Sequence, residues 1–153
     1  MKVSDRAVEL NAGFEGFFEH AYLCPAKVWT IGYGTTYLNG RPVRPGDKIT
    51  KTEAKAYMKK ELQEYLQNAL KCVNKEIVTK LNQNQLDSIA LFTYNVGVGN
   101  FTKSSFLRLM NSGDLVGAPE KMLLWNKAKG KVLRGLQRRR KVERDLFLTP
   151  VSE

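Results

Sequence analysis

The segment from Thr50 to Leu70 constrains the fold more than any other part of the sequence. Thr50 and Glu53 have the spacing of a capping box, in which a hydroxyl and a carboxylate bind the first free N–H groups of a helix. Apolar residues then recur every three or four positions, the period of one helix face: Ala54, Met58, Leu62, Leu66 and Ala69. We expect one helix that ends around Leu70 and spans about 30 Å. In a chain of 153 residues, such a helix can join a small sheet-bearing lobe to a helical lobe.

Strand signals lie between a first helix and this long one. The first helix is predicted to open near Ser4, a residue type that caps helices, with Glu15 near its end. From position 22 to 43, short β-branched and aromatic runs are broken by Pro and Gly, which indicates small antiparallel strands. Asn39-Gly40 is the clearest hairpin signal, because both residue types tolerate positive φ.

The second half of the chain is predicted to be helical. Asn82 and Gln85 have the spacing of another cap, and the segment LDSIALFTYNVG that follows is apolar nearly all round, so we expect it to be a buried central helix. Shorter helices are predicted over Ser104 to Asn111, Pro119 to Asn126 and Leu136 to Phe147, with Gly113 and Gly130 as helix stops.

These elements predict an α+β fold that is mostly helical, with the strands confined near the N-terminus. We expect residues 1–153 to form a single domain of two lobes. The first lobe covers about 14–55, and the connecting helix covers about 51–70. The second lobe covers about 71–148 and packs with the N-terminal helix at 4–13.

Composition excludes several classes of protein. Hydrophobic residues at 42% and charged residues at 26% are ordinary for a folded domain and argue against disorder. No apolar stretch approaches the roughly 18 to 20 residues of a membrane span, and the start lacks a secretory signal. Cys24 and Cys72 lack metal-binding spacing, and His20 is the only histidine, so a disulfide framework, a zinc site and a Ser/His/Asp triad are not indicated. Catalysis would then rest on carboxylates, hydroxyls or a thiol.

The positive charge is unevenly placed. The chain has 25 Lys and Arg against 15 Asp and Glu, a formal net charge of +10. Lys121 to Arg144 contains ten basic residues and only Glu143 as an acid. Such a field favours a polyanionic partner, and nucleic acid, an anionic bacterial envelope and acidic lipid all fit it.

One stretch combines residues that could carry chemistry: Glu15, Cys24 and Thr30. Pro25 favours a chain reversal between the last two, which would place Cys24 and Thr30 opposite each other on paired strands. The thiol and the hydroxyl could then hold one water facing Glu15, and inverting glycoside hydrolysis requires such an acid and such a water. Each residue also has an ordinary interpretation. Glu15 could be a solvated carboxylate at a helix end, Cys24 a small buried apolar residue and Thr30 an ordinary strand residue.

The sequence E-G-x8-C-x5-T-I-G-Y-G-T resembles the catalytic signature of the bacteriophage-type lysozymes, glycoside hydrolase family 24. The segment LNQNQLDSIALFTYNVGVGNF resembles the central helix of that family and its Asn-Val-Gly turn. The segment LLWNKAKGKVLRGLQRRRKVERDLFL resembles its closing segment, Trp-Asn followed by Gly-Leu-x-x-Arg-Arg-x-x-Glu. Together these segments cover nearly the whole chain in the family's order.

The resemblance implies a role for each residue of the motif. Glu15 aligns with the general acid, which must stay protonated near neutral pH although the reference pKa of Glu is about 4.3. Thr30 aligns with the hydroxyl that positions the attacking water. Cys24 aligns with the second catalytic position, where the more familiar members have Asp. A thiol with a reference pKa near 8.5 is mostly neutral at pH 7, so Cys24 could orient water without being a strong base, or attack the anomeric carbon as a thiolate. We predict that Cys24 orients water, which gives inversion at the anomeric carbon.

Further residues are assigned to substrate binding on the same resemblance. Gly32 and Tyr33 belong to a tight strand bend expected to line the cleft. Asn95 aligns with a polar cleft residue, the alternative being a helix C-cap. Arg138 or Arg139 resembles the arginine that pairs with the catalytic Glu across the lobes, whereas a solvated basic face is the usual interpretation of such a run.

The resemblance implies an endolysin that hydrolyses the β-1,4 bond between N-acetylmuramic acid and N-acetylglucosamine in peptidoglycan. We expect a monomer without metal or organic cofactor that binds peptidoglycan, meets the anionic bacterial envelope through its basic C-terminal segment and binds no nucleic acid. It is expected in the bacterial host cytoplasm until a holin lesion gives access to the periplasm and cell wall. The alternatives are a lytic transglycosylase and a non-enzymatic cationic protein that binds membranes or nucleic acid.

Overall fold

The computed structural model describes residues Met1–Val151 and is mostly helical. Its α-helices are α1 (Asp5–Phe14), α2 (Lys51–Leu70), α3 (Lys75–Val78), α4 (Gln83–Val96), α5 (Val98–Lys103), α6 (Ser105–Asn111) and α7 (Arg134–Leu148). A 3₁₀ helix covers Ala118–Leu124. Within these described residues, three antiparallel pairs of strands join β1 (Phe18–Leu23) to β2 (Trp29–Gly32), β3 (Tyr37–Leu38) to β4 (Arg41–Pro42), and β5 (Lys127–Ala128) to β6 (Lys131–Val132). The predicted α+β, mostly helical fold class is confirmed.

The chain divides into two compact units. The sheet unit is Val8–Glu61, and the helical unit consists of Met1–Ala7 together with the chain from Leu62 onward. Helices α1 and α2 each contain residues of both units. The grouping of the two units into a single lysozyme-like domain stays a prediction.

Helix α2 begins and ends where the sequence predicts. The backbone N–H of Glu53 donates to the Thr50 hydroxyl at 3.1 Å, and the Thr50 N–H donates to the Glu53 carboxylate at 3.1 Å, which completes the capping box. The apolar positions of its predicted face are all buried: Ala54, Met58, Leu62, Leu66 and Ala69. The local cap and the apolar period therefore specify this helix together.

Helix α4 forms the centre of the helical unit. Its capping box is formed by Asn82 and Gln85, with backbone-to-side-chain distances of 2.8 and 2.9 Å. Residues 86–93 are all buried, as expected for a central helix. Phe92 makes edge-to-face contacts with Phe101, Phe106 and Trp125. These rings fix the core of the helical unit around α4.

Two expectations for the segment after α6 are wrong. The segment predicted as a helix from Pro119 to Asn126 is a shorter 3₁₀ helix. Strands are also not confined near the N-terminus, since β5 and β6 form a hairpin whose turn is Lys129-Gly130. Both turn residues have positive φ, 52° and 77°, as a two-residue hairpin turn requires. Gly130 is thus a turn residue and not a helix stop, whereas Gly113 lies directly beyond α6 as predicted.

Candidate catalytic site

The end of α1 positions Glu15. Glu15 directly follows the last helical residue, Phe14, and its backbone N–H still donates to the carbonyl of Asn11 at 2.9 Å. The side chain is half-buried. The end of α1 thus fixes the backbone of Glu15 and leaves its side chain partly accessible.

A three-residue loop places Cys24. The backbone N–H of Cys24 donates to the carbonyl of Val28 at 3.1 Å, and the carbonyl of Cys24 accepts from Lys27 N–H at 2.8 Å. Lys27 has φ of 62°, so the loop is a tight turn followed by one left-handed residue. The chain reversal that Pro25 indicated is confirmed.

The predicted register of this hairpin is wrong by two residues. Thr30 pairs with Tyr22, and Trp29 pairs with Leu23, so Cys24 lies opposite Val28. Direct opposition of Cys24 and Thr30 would need a five-residue loop, but the loop closes after three. The two side chains are therefore diagonal neighbours on one face, a geometry that places such pairs about 7–8 Å apart at Cα.

The turn and Thr30 both act on the Cys24 thiol. The pKa of Cys24 lies below the ordinary value for a thiol, first because of hydrogen bonding from the backbone of Val28 and then through Ala26 and the Thr30 hydroxyl, with desolvation acting in opposition. Thr30 is 5% exposed, and its hydroxyl donates to the Val28 carbonyl at 3.0 Å. The Thr30 hydroxyl has one proton, which it can donate either to the Val28 carbonyl or to the Cys24 sulfur. A larger fraction of Cys24 is consequently thiolate near neutral pH than for an isolated thiol.

Gly32 and Tyr33 lie inside the sheet unit. Gly32 has φ of 64°, and a Cβ there would lie 3.1 Å from the Cβ of Ala54, so a side chain would press on α2. Tyr33 is 5% exposed, and its ring centroid lies 5.3 Å from that of Phe17. The two residues shape the strand end by packing.

The remaining predicted residues belong to the helical unit. Asn95 lies in the last turn of α4, where Gly97 is the C-cap, so the alternative of a capping role for Asn95 is wrong. The Asn95 side-chain oxygen accepts a hydrogen bond from Arg140. Arg138 is exposed, whereas Arg139 is buried and donates to the carbonyl of Leu91 at 2.7 Å.

A buried ionic cluster holds the arginines of α7. Glu143 accepts from Arg139 Nε at 2.9 Å and from Arg140 Nη1 at 2.5 Å. Burial raises the pKa of Glu143, and the two guanidinium groups oppose that rise. Arg140 also donates to the carbonyl of Trp125 at 2.8 Å. In the sequence these arginines stand within a basic run, and the i,i+3 and i,i+4 spacing of Glu143 from them is a signal for pairing that the prediction did not use.

Arg140 also lines a pocket within the helical unit. The pocket has a volume of about 360 Å³ and combines amide, cationic and aromatic side chains. Its lining residues are Asn95, Val96, Asn100, Trp125, Lys127, Ala128, Leu136 and Arg140. Such a mixture of one aromatic ring and several polar groups is typical of a ligand site. The pocket includes Asn95, which the sequence predicted as substrate-binding.

Within Met1–Val151, His, Cys, Asp and Glu residues form no cluster of three or more able to hold a metal ion. Both cysteines are free thiols. Among the same residues, no helix combines the length and apolar character of a bilayer span.

Comparison with known proteins gives one consistent family. The model of the phage lysozyme family matches residues 12–143. An endolysin of Acyrthosiphon pisum secondary endosymbiont phage 1 is 37% identical over 151 residues, which are 96% of this chain and 98% of the relative. An endolysin of Bacillus phage B103 is 36% identical over 155 residues, and this chain spans 56% of that relative's length.

Solved structures give the same result. The endolysin from Escherichia coli O157:H7 phage FAHEc1 superposes with a TM-score of 0.85 at 33% identity, covering 100% of this chain and 97% of that one. The muramidase domain of SpmX from Asticaccaulis excentricus superposes with a TM-score of 0.85 at 35% identity, covering 97% of this chain and 99% of that one. The fold therefore resembles that of a phage endolysin, the same kind of protein that the sequence resembles.

Proposed function

Because the chain belongs to the phage lysozyme family, we propose that it is an endolysin that hydrolyses peptidoglycan and lyses the bacterial host. The bond cleaved is the β-1,4 linkage between N-acetylmuramic acid and N-acetylglucosamine. The observation that carries the proposal is the family match over residues 12–143, which includes Glu15, Cys24 and Thr30. All three lie in the sheet unit.

Glu15 is the proposed general acid. It protonates the glycosidic oxygen as the bond to the anomeric carbon breaks. Its half-buried place directly after the end of α1 supports this role.

Cys24 and Thr30 are proposed to hold the attacking water. The Thr30 oxygen can accept from that water while its own proton is donated to Val28. The lowered pKa of Cys24 increases the thiolate fraction, and the sulfur is proposed to accept a hydrogen bond from the water and orient it, without acting as a strong base. A held water that attacks opposite the leaving group gives inversion. The thiolate attacking carbon directly would give retention.

The other predicted residues have supporting roles in this proposal. Asn95 and the pocket around it offer hydrogen bonds to the substrate. Gly32 and Tyr33 act by setting the backbone at the end of β2, since both are buried. Arg138 and Arg139 are assigned to substrate binding in this proposal. Arg138 is the exposed member of the pair, whereas Arg139 is buried and its charge is balanced by Glu143.

The proposed partners are peptidoglycan glycan strands and, through the basic C-terminal segment, the anionic bacterial envelope. The protein acts as a monomer, without nucleic acid, metal or organic cofactor. It stays in the host cytoplasm until a holin lesion opens the way to the wall. A relative from bacteriophage PS119, 36% identical over 138 residues, is named a SAR-endolysin. Fractionation of host cells before and after a membrane lesion therefore tests the location of this protein directly.

The experiment that tests the function compares wild type with Glu15→Gln on purified peptidoglycan. The amide keeps the shape of Glu15 but has no proton to give, so we expect activity to fall by about 10²-fold or more. Full activity of the variant would contradict the proposal and favour a charge-driven cationic protein. Mass spectrometry of the products covers the other alternative, since anhydro-muramic ends would identify a lytic transglycosylase.

A further inference from the structure

The ten basic residues of Lys121 to Arg144 are not equally available to a partner. Arg139 and Arg140 are buried against Glu143, and Arg144 is paired with Glu120 at 3.3 Å and with Asp145 at 2.9 Å. Their charges are already balanced within the protein. The field that a partner meets must therefore come from the remaining basic residues.

Most of those residues lie on the β5–β6 hairpin. We call the segment Lys127–Arg134 the basic hairpin. Each residue in 127–135 is exposed, on both faces of the two-stranded ladder. Its cations are Lys127, Lys129, Lys131 and Arg134, and the segment contains no acid. Leu133 N–H donates to the carbonyl of Asn126 at 3.0 Å, which anchors the base of the hairpin.

The basic hairpin also exposes apolar side chains. Val132 is 49% exposed and Leu133 is 44% exposed, and both lie between Lys131 and Arg134 in the sequence. Leu124, just before the hairpin, is 65% exposed. Apolar side chains flanked by lysines are the composition of segments that bind at a membrane interface, where the charges meet headgroups and the apolar groups enter the acyl boundary.

We propose that the basic hairpin is a docking surface for an anionic phospholipid bilayer. A phosphate-bearing polymer would also attract the cations, but it offers no apolar phase for Val132 and Leu133. An anionic bilayer can bind the cations through its headgroups and the apolar side chains through its acyl region. The inference rests on the proposed function for its setting, the bacterial envelope, and it names the lipid surface as the part of that envelope that the hairpin contacts.

Vesicle co-sedimentation tests this proposal without any peptidoglycan present. The probes are phosphatidylcholine vesicles with about one-third phosphatidylglycerol, and phosphatidylcholine alone, at about 0.1 M salt. The charge variant is K129Q/K131Q/R134Q, which leaves the pocket residue Lys127 intact. Its matched control is K75Q/K80Q/R108Q, which removes the same charge from exposed sites elsewhere in the helical unit. The apolar variant is V132T/L133S, in which Thr keeps the β-branch and Ser suits the N-cap position before α7.

We expect wild type to bind the anionic vesicles and not the neutral ones. Each cation lost from the hairpin should weaken partitioning about fivefold, so the charge variant should bind the anionic vesicles about 100-fold more weakly than wild type. The control variant should lose clearly less binding than the charge variant. The apolar variant should bind about tenfold more weakly. Equal binding by the charge variant and its control would overturn the proposal. So would binding to soluble long-chain polyphosphate, unaffected by V132T/L133S, in the absence of vesicle binding.

The same variants keep this test separate from the proposed function. On purified peptidoglycan without lipid, K129Q/K131Q/R134Q and V132T/L133S should hydrolyse the glycan as well as the control variant does. Loss of vesicle binding with full hydrolysis by the charge variant supports the docking surface. Vesicle binding by a wild type that does not hydrolyse peptidoglycan would contradict the proposed function alone.

Discussion

The backbone N–H of Cys24 donates to the carbonyl of Val28 at 3.1 Å, so the candidate catalytic thiol lies at the mouth of the turn that joins β1 to β2. The same turn directs backbone hydrogen bonds from Val28 and Ala26 to the thiol and thereby lowers the pKa of Cys24. The geometry of this loop thus affects the ionisation of the side chain that is proposed to hold the attacking water.

The first prediction concerns the reactivity of Cys24. Because its pKa is lowered, alkylation of Cys24 by iodoacetamide should reach half its maximal rate at a lower pH than alkylation of a free thiol measured alongside. Mass spectrometry of the Cys24 peptide across a pH series measures this midpoint. Thr30→Val, which removes one of the hydrogen bonds to the thiol, should move the midpoint upward. A midpoint at or above that of a free thiol in wild type would contradict the geometry.

The second prediction concerns Lys27, which adopts a left-handed conformation with φ of 62°. A residue with a Cβ is strained there by roughly 1–2 kcal/mol, and glycine removes that strain at an entropic cost of about 0.5–1 kcal/mol. Lys27→Gly should therefore raise the free energy of unfolding, by up to about 1 kcal/mol. Urea denaturation measures this change in the free energy of unfolding. Lys60→Gly, at an exposed position within α2, is the control and should lower stability by about 1 kcal/mol. Equal destabilisation by both substitutions would rule out strain at Lys27.

The third prediction concerns the buried cluster of Arg139, Arg140 and Glu143. Glu143→Gln leaves two buried guanidinium groups without their counter-ion and should cost about 3–5 kcal/mol of unfolding free energy. Glu120→Gln removes an exposed partner of Arg144 and should cost less than about 1 kcal/mol. Thermal unfolding followed by circular dichroism compares the two variants. Similar small losses in both would mean that the cluster does not stabilise the helical unit.

The fourth prediction is a pH dependence at the base of the β3–β4 hairpin. Asp47 accepts two hydrogen bonds from Arg41, at 2.9 and 3.0 Å, and this pairing lowers the pKa of Asp47 to about 2. Since the folded pKa lies below the unfolded value of about 3.9, the stabilisation is complete above that value and is lost as the pH falls through about 2.

Asp47→Asn tests this dependence. The variant should be less stable than wild type at pH values near neutral, and the two curves should converge as the pH falls toward about 2. Asp145→Asn, which removes an exposed partner of Arg144, is the control and should change stability by less than about 1 kcal/mol. If the difference in unfolding free energy between Asp47→Asn and wild type stayed constant across the acid range, the contribution of Asp47 would not depend on its charge.

Local signals were sufficient to predict much of this fold. The capping boxes at Thr50 and Asn82 and the Asn39-Gly40 turn each satisfy backbone groups within a few residues, so their structure depends little on the rest of the chain. Asn39 and Gly40 both have positive φ, as that turn requires. The helices and the first hairpins could therefore be predicted from spacing and residue type.

Other features depend on choices that the sequence leaves open. Loops of three and of five residues both place Pro25 in the turn, so the register between Cys24 and Thr30 could not be fixed. In the β5–β6 hairpin, Lys129 adopts a left-handed conformation, which its residue type does not predict. The burial of Arg140 depends on packing against α4, which its spacing from Glu143 does not establish by itself. The family resemblance supplied the roles of Glu15, Cys24 and Thr30, which spacing alone could not establish.

The central claim is that Cys24 and Thr30 hold a water that attacks while Glu15 protonates the leaving group. The anomeric configuration of the first product tests it most directly, by NMR of a β-linked peptidoglycan fragment recorded before mutarotation equilibrates the ends. The proposed mechanism predicts that the α-anomer forms first, because the water attacks from the face opposite the leaving group. An initial β-anomer would show retention and would contradict the held water, pointing instead to a covalent intermediate on the Cys24 sulfur.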